Sequence, residues 1–236
     1  MSRPVRLILD PPRRAALNMA IDEILMESRQ APDAPPVLRF YFWSEPAYSI
    51  GYFQSVEAVA RRFGCAKKKI GVVRRLAGGG TVLHGEDLTF SLTLKNPNLF
   101  FSGDVKTSYL KINEAVRIGL KDAYPELDYA DCRTVPPGRP GARERVCFEA
   151  PSCYDLLLEG KKILGASQRR AGGAILHQST IFLKEDPERL IEKIRRGFEK
   201  NWGVEFQEKA LTQEELKKAE LKEKERYASP EWAFKP

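Results

Sequence analysis

The chain has 236 residues, which suits one sizeable domain, alone or with a small appendage, and 42% of them are hydrophobic, enough for a buried core. Its net charge of +7 points to an acidic partner, which could be a nucleic acid, an anionic cofactor or an acidic protein. No apolar run approaches the ~18 residues of a membrane span and no signal-peptide pattern opens the chain, so we expect a cytoplasmic, non-membrane protein with reduced thiols.

Residue patterns predict short strands and helices along the whole chain. Apolar residues at helical spacing predict helices over 15–28, 56–63, 109–123, 187–202 and 211–227. β-Branched and aromatic runs predict strands over 5–9, 37–43, 47–52, 70–74, 87–94 and 174–183. A hairpin is predicted at Glu159-Gly160, a second glycine turn over 168–173 and an extended tail over 227–236. These elements predict an α+β domain over residues 1–210 and a C-terminal helical extension over residues 211–236.

Three consecutive glycines stand between two apolar segments, with Arg74 and Arg75 before them and His84 after them. Such a run leaves no side chains to pack, so it suits a ligand that lies against the backbone. The arginines could hold a phosphate or a carboxylate. A glycine-rich turn with two solvated arginines is the alternative. The run matches neither a Rossmann nor a P-loop fingerprint.

Four cysteines form no CxxC pair, which argues against a zinc site. Cys147 follows Arg143 and Arg145, whose charges would favour a nucleophilic thiolate if they also lie close in space. A buried, inert cysteine is the alternative, and Cys153 has no arginine neighbours. The two histidines of the chain, His84 among them, offer only two choices for a Cys–His couple.

A second basic segment follows the predicted hairpin turn, as Lys161 and Lys162. If strand alternation holds, Lys162 shares a face with Leu164, and Lys161 shares the opposite face with Ile163. One lysine then points inward, where its charge could polarise a carbonyl or stabilise an oxyanion. Two exposed lysines are the alternative.

Four segments, in this order, resemble the family of lipoate–protein ligases, octanoyltransferases and biotin ligases: residues 18–23, 51–54, 74–84 and 160–168. The resemblance covers roughly residues 5–200, and residues 224–232 are similar to the family's C-terminal segment. It implies a mixed β-sheet with flanking helices, as in biotin ligases and class II synthetases. It implies that Lys162, rather than Lys161, contacts the acyl carbonyl. The substrate-binding residues that it implies are Arg74, Arg75, Gly78, Gly79, Gly80, His84, Gly165 and Ala166.

Residues 146–156 closely resemble the cysteine motif of LipM-type octanoyltransferases, in which the cysteine accepts the acyl group. The resemblance implies that Cys147 and Lys162 are catalytic. It implies transfer of octanoyl from acyl carrier protein to the lipoyl-domain lysine of glycine-cleavage H protein or a 2-oxoacid dehydrogenase E2, in lipoate biosynthesis, with no cofactor or metal. Two features depart from the pattern. The glycine loop is closer to the ligase form, and Gln178 follows His177 where the family usually has glycine.

An ATP-dependent lipoate–protein ligase that forms lipoyl-AMP with ATP and Mg²⁺ is the alternative function. Such ligases generally lack the cysteine and often carry a further C-terminal domain. An amidotransferase between lipoyl domains and an inactive acyl-binding protein are further alternatives. A nucleic-acid-binding module is disfavoured, because the basic residues are dispersed and no RRM, OB or helix-turn-helix signature is present.

Overall fold

The computed structural model describes residues 3–31, 34–101, 103–133, 135 and 146–235. Its strands are β1 (Arg3–Leu9), β2 (Val37–Tyr41), β3 (Ala47–Ile50), β4 (Gly71–Arg74), β5 (Val82–His84), β6 (Leu88–Lys95), β7 (Asp128–Tyr129), β8 (Leu156–Leu158), β9 (Lys161–Ala171), β10 (Ala174–Ile181) and β11 (Val204–Glu208). Its α-helices are α1 (Ala15–Glu27), α2 (Val56–Phe63), α3 (Cys65–Lys68), α4 (Val105–Leu120), α5 (Pro187–Trp202), α6 (Gln213–Lys222) and α7 (Pro230–Ala233).

The strands form a large mixed sheet and a small one. The large sheet has the order β11-β1-β2-β6-β10-β9-β8-β7, and the small sheet has the order β4-β3-β5. In the large sheet β1 runs parallel to β11 and β2, and the remaining neighbours are antiparallel. This arrangement confirms the predicted α+β fold with a mixed sheet. None of the helices in the described part of the chain combines the length and apolar character required to cross a bilayer.

Helices cover both faces of the large sheet, as the alternation of side chains along β2 shows. Leu38 and Phe40 belong to the larger core cluster, which includes buried residues of α4 and α5. Val37 and Tyr41 belong to a second cluster with buried residues of α1 and α6. The sheet therefore lies between two helical layers, and every residue of β2 is buried.

A charged network is buried between α1 and the large sheet. The guanidinium of Arg39 is fully buried and forms ion pairs with Asp10 at 2.7 Å and with Asp22 at 2.8 Å. Asp22 also accepts hydrogen bonds from Tyr41 and Gln178. Because a buried charge is tolerated only when paired and hydrogen-bonded, this network fixes α1 against the sheet.

Several element boundaries differ from the sequence prediction. Helix α4 begins at Val105, since the carboxylate of Asp104 caps it by accepting from the backbone N–H of Thr107 at 2.8 Å. Strand β9 continues through Ala171, so the predicted glycine turn over 168–173 is confined to its last two residues. The tail over 227–236 is not extended, because Ser229 caps the short helix α7. Strand β11 was not predicted.

The C-terminal elements pack on the rest of the chain. Ala219 of α6 and Tyr227 are buried in the same cluster as Ile21 and Leu25 of α1. The division into residues 1–210 and 211–236 stays a prediction.

The expectation of reduced thiols is wrong for two of the four cysteines. Cys132 and Cys153 form a disulfide, while Cys65 and Cys147 are free. This pairing removes Cys153 as an alternative nucleophile. The bond closes the segment that contains Cys147, most of which, including Arg143 and Arg145, lies outside the described residues.

We predict that Arg39→Leu destabilises the protein by about 3–5 kcal/mol, because it leaves two buried carboxylates without their counter-charge. Chemical denaturation measures the change. Arg196→Ala is the matched control, since Arg196 pairs with Glu192 at the surface and its side chain is 72% exposed; it should leave the denaturation midpoint unchanged. An equal effect of both substitutions would contradict the prediction.

We also predict two reactive thiols, Cys65 and Cys147, when the protein is unfolded without reductant, because the other pair is cross-linked. Reduction should raise the number to the four cysteines of the sequence. Thiol titration and mass spectrometry of the Cys132–Cys153 peptide check this. Four reactive thiols before reduction would contradict it.

Candidate active site

The hairpin between β8 and β9 buries Lys162 and leaves Lys161 exposed. Glu159 and Gly160 both have positive φ angles, 51° and 76°, which suits a tight two-residue turn. The side chain of Lys162 is only 3% exposed. The alternation along β9 therefore turns inward the lysine that the family resemblance selected.

The ammonium of Lys162 contacts three groups. Its Nζ lies 2.6 Å from the carboxylate of Asp155 and donates to the carbonyl oxygen of Cys147 at 2.7 Å. The same Nζ lies 3.4 Å from the Sγ of Cys147. A lysine ammonium in this position can stabilise a thiolate, or an oxyanion that forms on an acyl group attached to that sulfur.

Cys147 is held beside the glycine loop by the backbone. Its N–H donates to the carbonyl of Thr81 at 2.9 Å, and Val146 pairs with Thr81 in a short parallel bridge. The thiol is half-buried and free. A Cβ atom at Gly165 would lie 2.9 Å from this sulfur and 2.9 Å from the Cε of Lys162, so any larger residue there would displace one of the two side chains.

The glycine loop packs backbone to backbone on the turn that follows β3. A Cβ atom at Gly51 would lie 2.1 Å from the carbonyl oxygen of Gly79, and Gly79 has a φ of +91°. The N–H of Tyr52 donates to the carbonyl of Ala77 at 3.0 Å. Gly51 therefore determines how closely the loop approaches the rest of the site.

Arg75 supports the loop from inside. Its guanidinium is buried and donates to the carbonyls of Gly78 at 3.1 Å and Gly80 at 2.8 Å, and to the hydroxyl of Ser49 at 2.6 Å. Burial lowers the pKa of Arg75, and the electrostatic interaction with Cys147 opposes that shift, which places this cation within range of the thiol. Its Nε is buried without a hydrogen-bond partner among the described residues.

His84 supports the glycine loop indirectly, because its two ring nitrogens contact Ser49 and Asp87 rather than the thiol of Cys147. Its Nε2 lies 2.7 Å from the Ser49 hydroxyl, and its Nδ1 lies 2.8 Å from Asp87. Burial lowers the pKa of His84, which Asp87 only partly offsets, so the ring is neutral near pH 7. A neutral ring that donates to Asp87 accepts from Ser49, and Ser49 in turn accepts from Arg75. His84 thus orients Arg75.

The guanidinium of Arg74 lies among backbone carbonyls. Its Nη1 donates to the carbonyls of Tyr52 and Gln54, and its Nη2 donates to those of Ala233 and Lys235. These bonds engage the guanidinium with backbone and tie the C-terminal segment to the turn beside the glycine loop. The predicted contact of Arg74 with substrate stays a prediction.

A cavity of about 300 Å³ opens next to these groups. Its lining includes Gly79 of the glycine loop, Tyr109 of α4, Asp155 and Ala166 of β9. Burial raises the pKa of Tyr109 above its ordinary value, so the phenol stays protonated and its ring acts as a wall of the cavity. Of the predicted substrate-binding residues, Gly79 and Ala166 line this space directly, while Gly165 packs under the thiol.

His177 makes its hydrogen bonds away from Cys147 and Lys162, and its ring packs edge-on against Tyr109 of the cavity wall at 5.2 Å. It is fully buried, with its two ring nitrogens at 2.9 Å from the side chains of Gln168 and Ser179. Burial alone lowers its pKa to about 3. Over the described residues, no group of three or more His, Cys, Asp or Glu side chains is placed to hold a metal ion.

Sequence reasoning missed three polar residues of the site: Asp155, Ser49 and Asp87. Asp155 lies within the cysteine motif, but its role depends on Lys162, which the hairpin brings back beside it. Ser49 and Asp87 lie in or next to predicted strands, and neither spacing nor composition marks them. The contacts that give these residues a role span 7, 26 and 3 positions in the chain.

Comparisons with known proteins identify the family of the chain. The family model of the lipoyl protein ligase A/B catalytic domain matches residues 14–213 of the sequence. Octanoyltransferase LipM of Carboxydothermus hydrogenoformans is 36% identical over 87% of this chain and 80% of its own length, and that of Anoxybacillus flavithermus is 32% identical over 93% and 94%. Octanoyltransferase LipM of Moorella thermoacetica is 39% identical over 70% of this chain, an alignment that spans 60% of that relative.

Among solved structures, a bi-partite lipoate protein ligase from Thermoplasma acidophilum superposes with a TM-score of 0.75, covering 99% of this chain and 96% of that one at 23% identity. A lipoate-protein ligase A bound with ATP superposes with a TM-score of 0.79, covering 99% of both chains at 23% identity. These superpositions show the shared fold, and the family match with the relatives above shows that this chain belongs to the lipoyl protein ligase A/B catalytic domain family.

Proposed function

We propose that the chain is an octanoyltransferase that moves an octanoyl group from acyl carrier protein to the lysine of a lipoyl domain, through a thioester on Cys147. The observation that carries the proposal is the free thiol of Cys147, 3.4 Å from the ammonium of Lys162, whose partner Asp155 lines a cavity of about 300 Å³. The relatives named octanoyltransferase LipM support the same reaction.

In the first half-reaction, the Cys147 thiolate attacks the carbonyl carbon of octanoyl-acyl carrier protein. A C–S bond to Cys147 forms, the bond to the carrier sulfur breaks, and the carrier leaves as a thiol after taking up a proton, which balances the one that Cys147 lost on becoming a thiolate. Lys162 stabilises the oxyanion of the tetrahedral intermediate, with backbone N–H groups beside it. The exchange converts one thioester into another, so it needs neither ATP nor a metal.

In the second half-reaction, the amine of the acceptor lysine attacks the acyl-enzyme. A C–N bond forms, the C–S bond to Cys147 breaks, and the proton lost by the amine balances the one that the sulfur regains. An amide is more stable than a thioester, so this step drives the cycle. Suitable acceptors are the glycine-cleavage H protein and 2-oxoacid dehydrogenase E2 lipoyl domains.

Charge supports the encounter with both partners. Acyl carrier proteins and lipoyl domains are typically acidic, and the chain carries a net charge of +7. Complementary charge raises association rates and helps to select partners. We place the reaction in the cytoplasm, where both partners occur.

An ATP-dependent lipoate–protein ligase is the alternative, because the solved structures of this fold include a ligase with ATP and the glycine loop resembles the ligase form. That reaction activates a free acid as an adenylate and makes no use of a cysteine nucleophile. The two reactions therefore differ in their dependence on Cys147.

We predict that the unaltered protein, incubated with octanoyl-acyl carrier protein and without ATP, gains one octanoyl group, and that hydroxylamine removes it. Cys147→Ala should abolish this adduct and the transfer to an added lipoyl domain, because it removes the nucleophile. Intact mass measures both.

The matched control is Cys65→Ala, which removes the other free thiol and should keep the adduct. An adduct that persists in Cys147→Ala, or transfer that appears only with free acid and ATP, would contradict the transferase.

We predict that Gly51→Ala lowers the transfer rate by about 100-fold, because the added methyl collides with Gly79 and displaces the loop from the acyl group. Steady-state transfer to a lipoyl domain measures the rate. Gly71→Ala is the control, since a Cβ there meets nothing within 4 Å, and it should leave the rate unchanged. Equal rates in both variants would show that the loop position does not matter.

A further inference from the structure

Lys162 is a buried cation, and it must have an anion beside it in every state of the reaction. Its side chain is 3% exposed and that of its partner Asp155 is 4% exposed. Removing an ammonium from water is unfavourable unless it is paired and hydrogen-bonded, and otherwise the group loses its proton.

Two groups can supply that anion in the free enzyme. One is the thiolate of Cys147, 3.4 Å from Nζ, and the other is the carboxylate of Asp155, 2.6 Å from it. In the acyl-enzyme the sulfur belongs to a neutral thioester, and the attacking amine is neutral as well. Of the described carboxylates, Asp155 is the one within salt-bridge distance of Lys162 at that stage.

From this geometry, and on the basis of the proposed function, we propose that Asp155 is a positioning residue for the second half-reaction. It keeps Lys162 charged and aimed at the acyl carbonyl after Cys147 has been acylated. The first half-reaction depends on it less, because the attacking thiolate itself balances the charge of Lys162, and that charge then passes to the oxyanion.

The backbone fixes Asp155 for this task. Its Oδ2 accepts from the N–H of Ser152 at 2.5 Å, and its own N–H donates to the carbonyl of Ser152 at 3.0 Å. Its carbonyl accepts from the N–H of Ala130 at 2.8 Å. The carboxylate therefore sits on a closed turn, while the lysine sits on β9, and the ion pair joins the two elements beside the thiol.

Asp155 also lines the cavity of about 300 Å³ beside the site, so it lies close to the place proposed for the acyl group. An attack on the thioester moves negative charge onto the carbonyl oxygen. When the C–S bond then breaks, that charge passes to the sulfur of Cys147. Lys162 faces both positions of the charge, and Asp155 lies behind it throughout, so the lysine begins and ends the step as a cation.

The test separates the two half-reactions in Asp155→Asn, which keeps the shape of the side chain and removes its charge. Single-turnover intact mass follows formation of the acyl-enzyme from octanoyl-acyl carrier protein, and then its loss on addition of a lipoyl domain. We expect acylation to stay within about threefold of the unaltered protein and transfer to fall by about 100-fold, so that the acyl-enzyme accumulates.

The split between the two half-reactions is a readout that a merely structural role would not move, because a folding defect would lower acylation and transfer together. Asp155→Ser, smaller and also uncharged, should show the same partition and serves if the asparagine variant does not fold.

Glu149→Gln is the matched control. It removes a carboxylate two positions from Cys147 whose side chain is 57% exposed and pairs with Arg62, and both half-reactions should be unchanged. Equal losses in the two half-reactions of Asp155→Asn, or no loss in either, would overturn the inference alone. Absence of an acyl-enzyme in the unaltered protein would overturn the proposed function, and the inference with it.

Discussion

A lysine ammonium removed from water needs a fixed negative partner, and the arrangement around Lys162 follows from that need. The turn after the cysteine motif supplies Asp155 at 2.6 Å, and β9 supplies the lysine from a strand that is antiparallel to β8. The thiol of Cys147 completes the group, in space left free by the missing side chain of Gly165. One ion pair thus joins the turn, the hairpin and the nucleophile.

The glycine loop depends on a second constraint, which is close contact between backbones. Gly51 and Gly79 approach so tightly that a single methyl group would displace one of them. Arg75 fixes the loop from the buried side, and His84 orients Arg75 through Ser49. A loop held in this way presents its N–H groups at a defined place, which is what stabilisation of an oxyanion requires.

The two arginines beside the glycines illustrate what local sequence leaves open. Arg74 and Arg75 are adjacent, and both were expected to bind substrate. In β4 and just after it, successive residues point in opposite directions. Arg75 therefore reaches the inside of the glycine loop, while Arg74 binds backbone carbonyls of the C-terminal segment. Alternation alone separates the two side chains, and the tertiary structure decides what each of them contacts.

Local patterns in the sequence were sufficient for most of the fold, because helical periodicity, strand alternation and turn residues act over a few positions. They predicted α2 and α5 to the residue and the turn at Glu159-Gly160, whereas the family resemblance selected Lys162 as the inward lysine of β9. The motif order was sufficient for the family. The tertiary structure alone decided the disulfide of Cys132, the hydrogen bonds of Arg74 to backbone carbonyls and the pairing of Asp155 with Lys162. Each of these depends on which segments the fold brings side by side, and no local spacing encodes that.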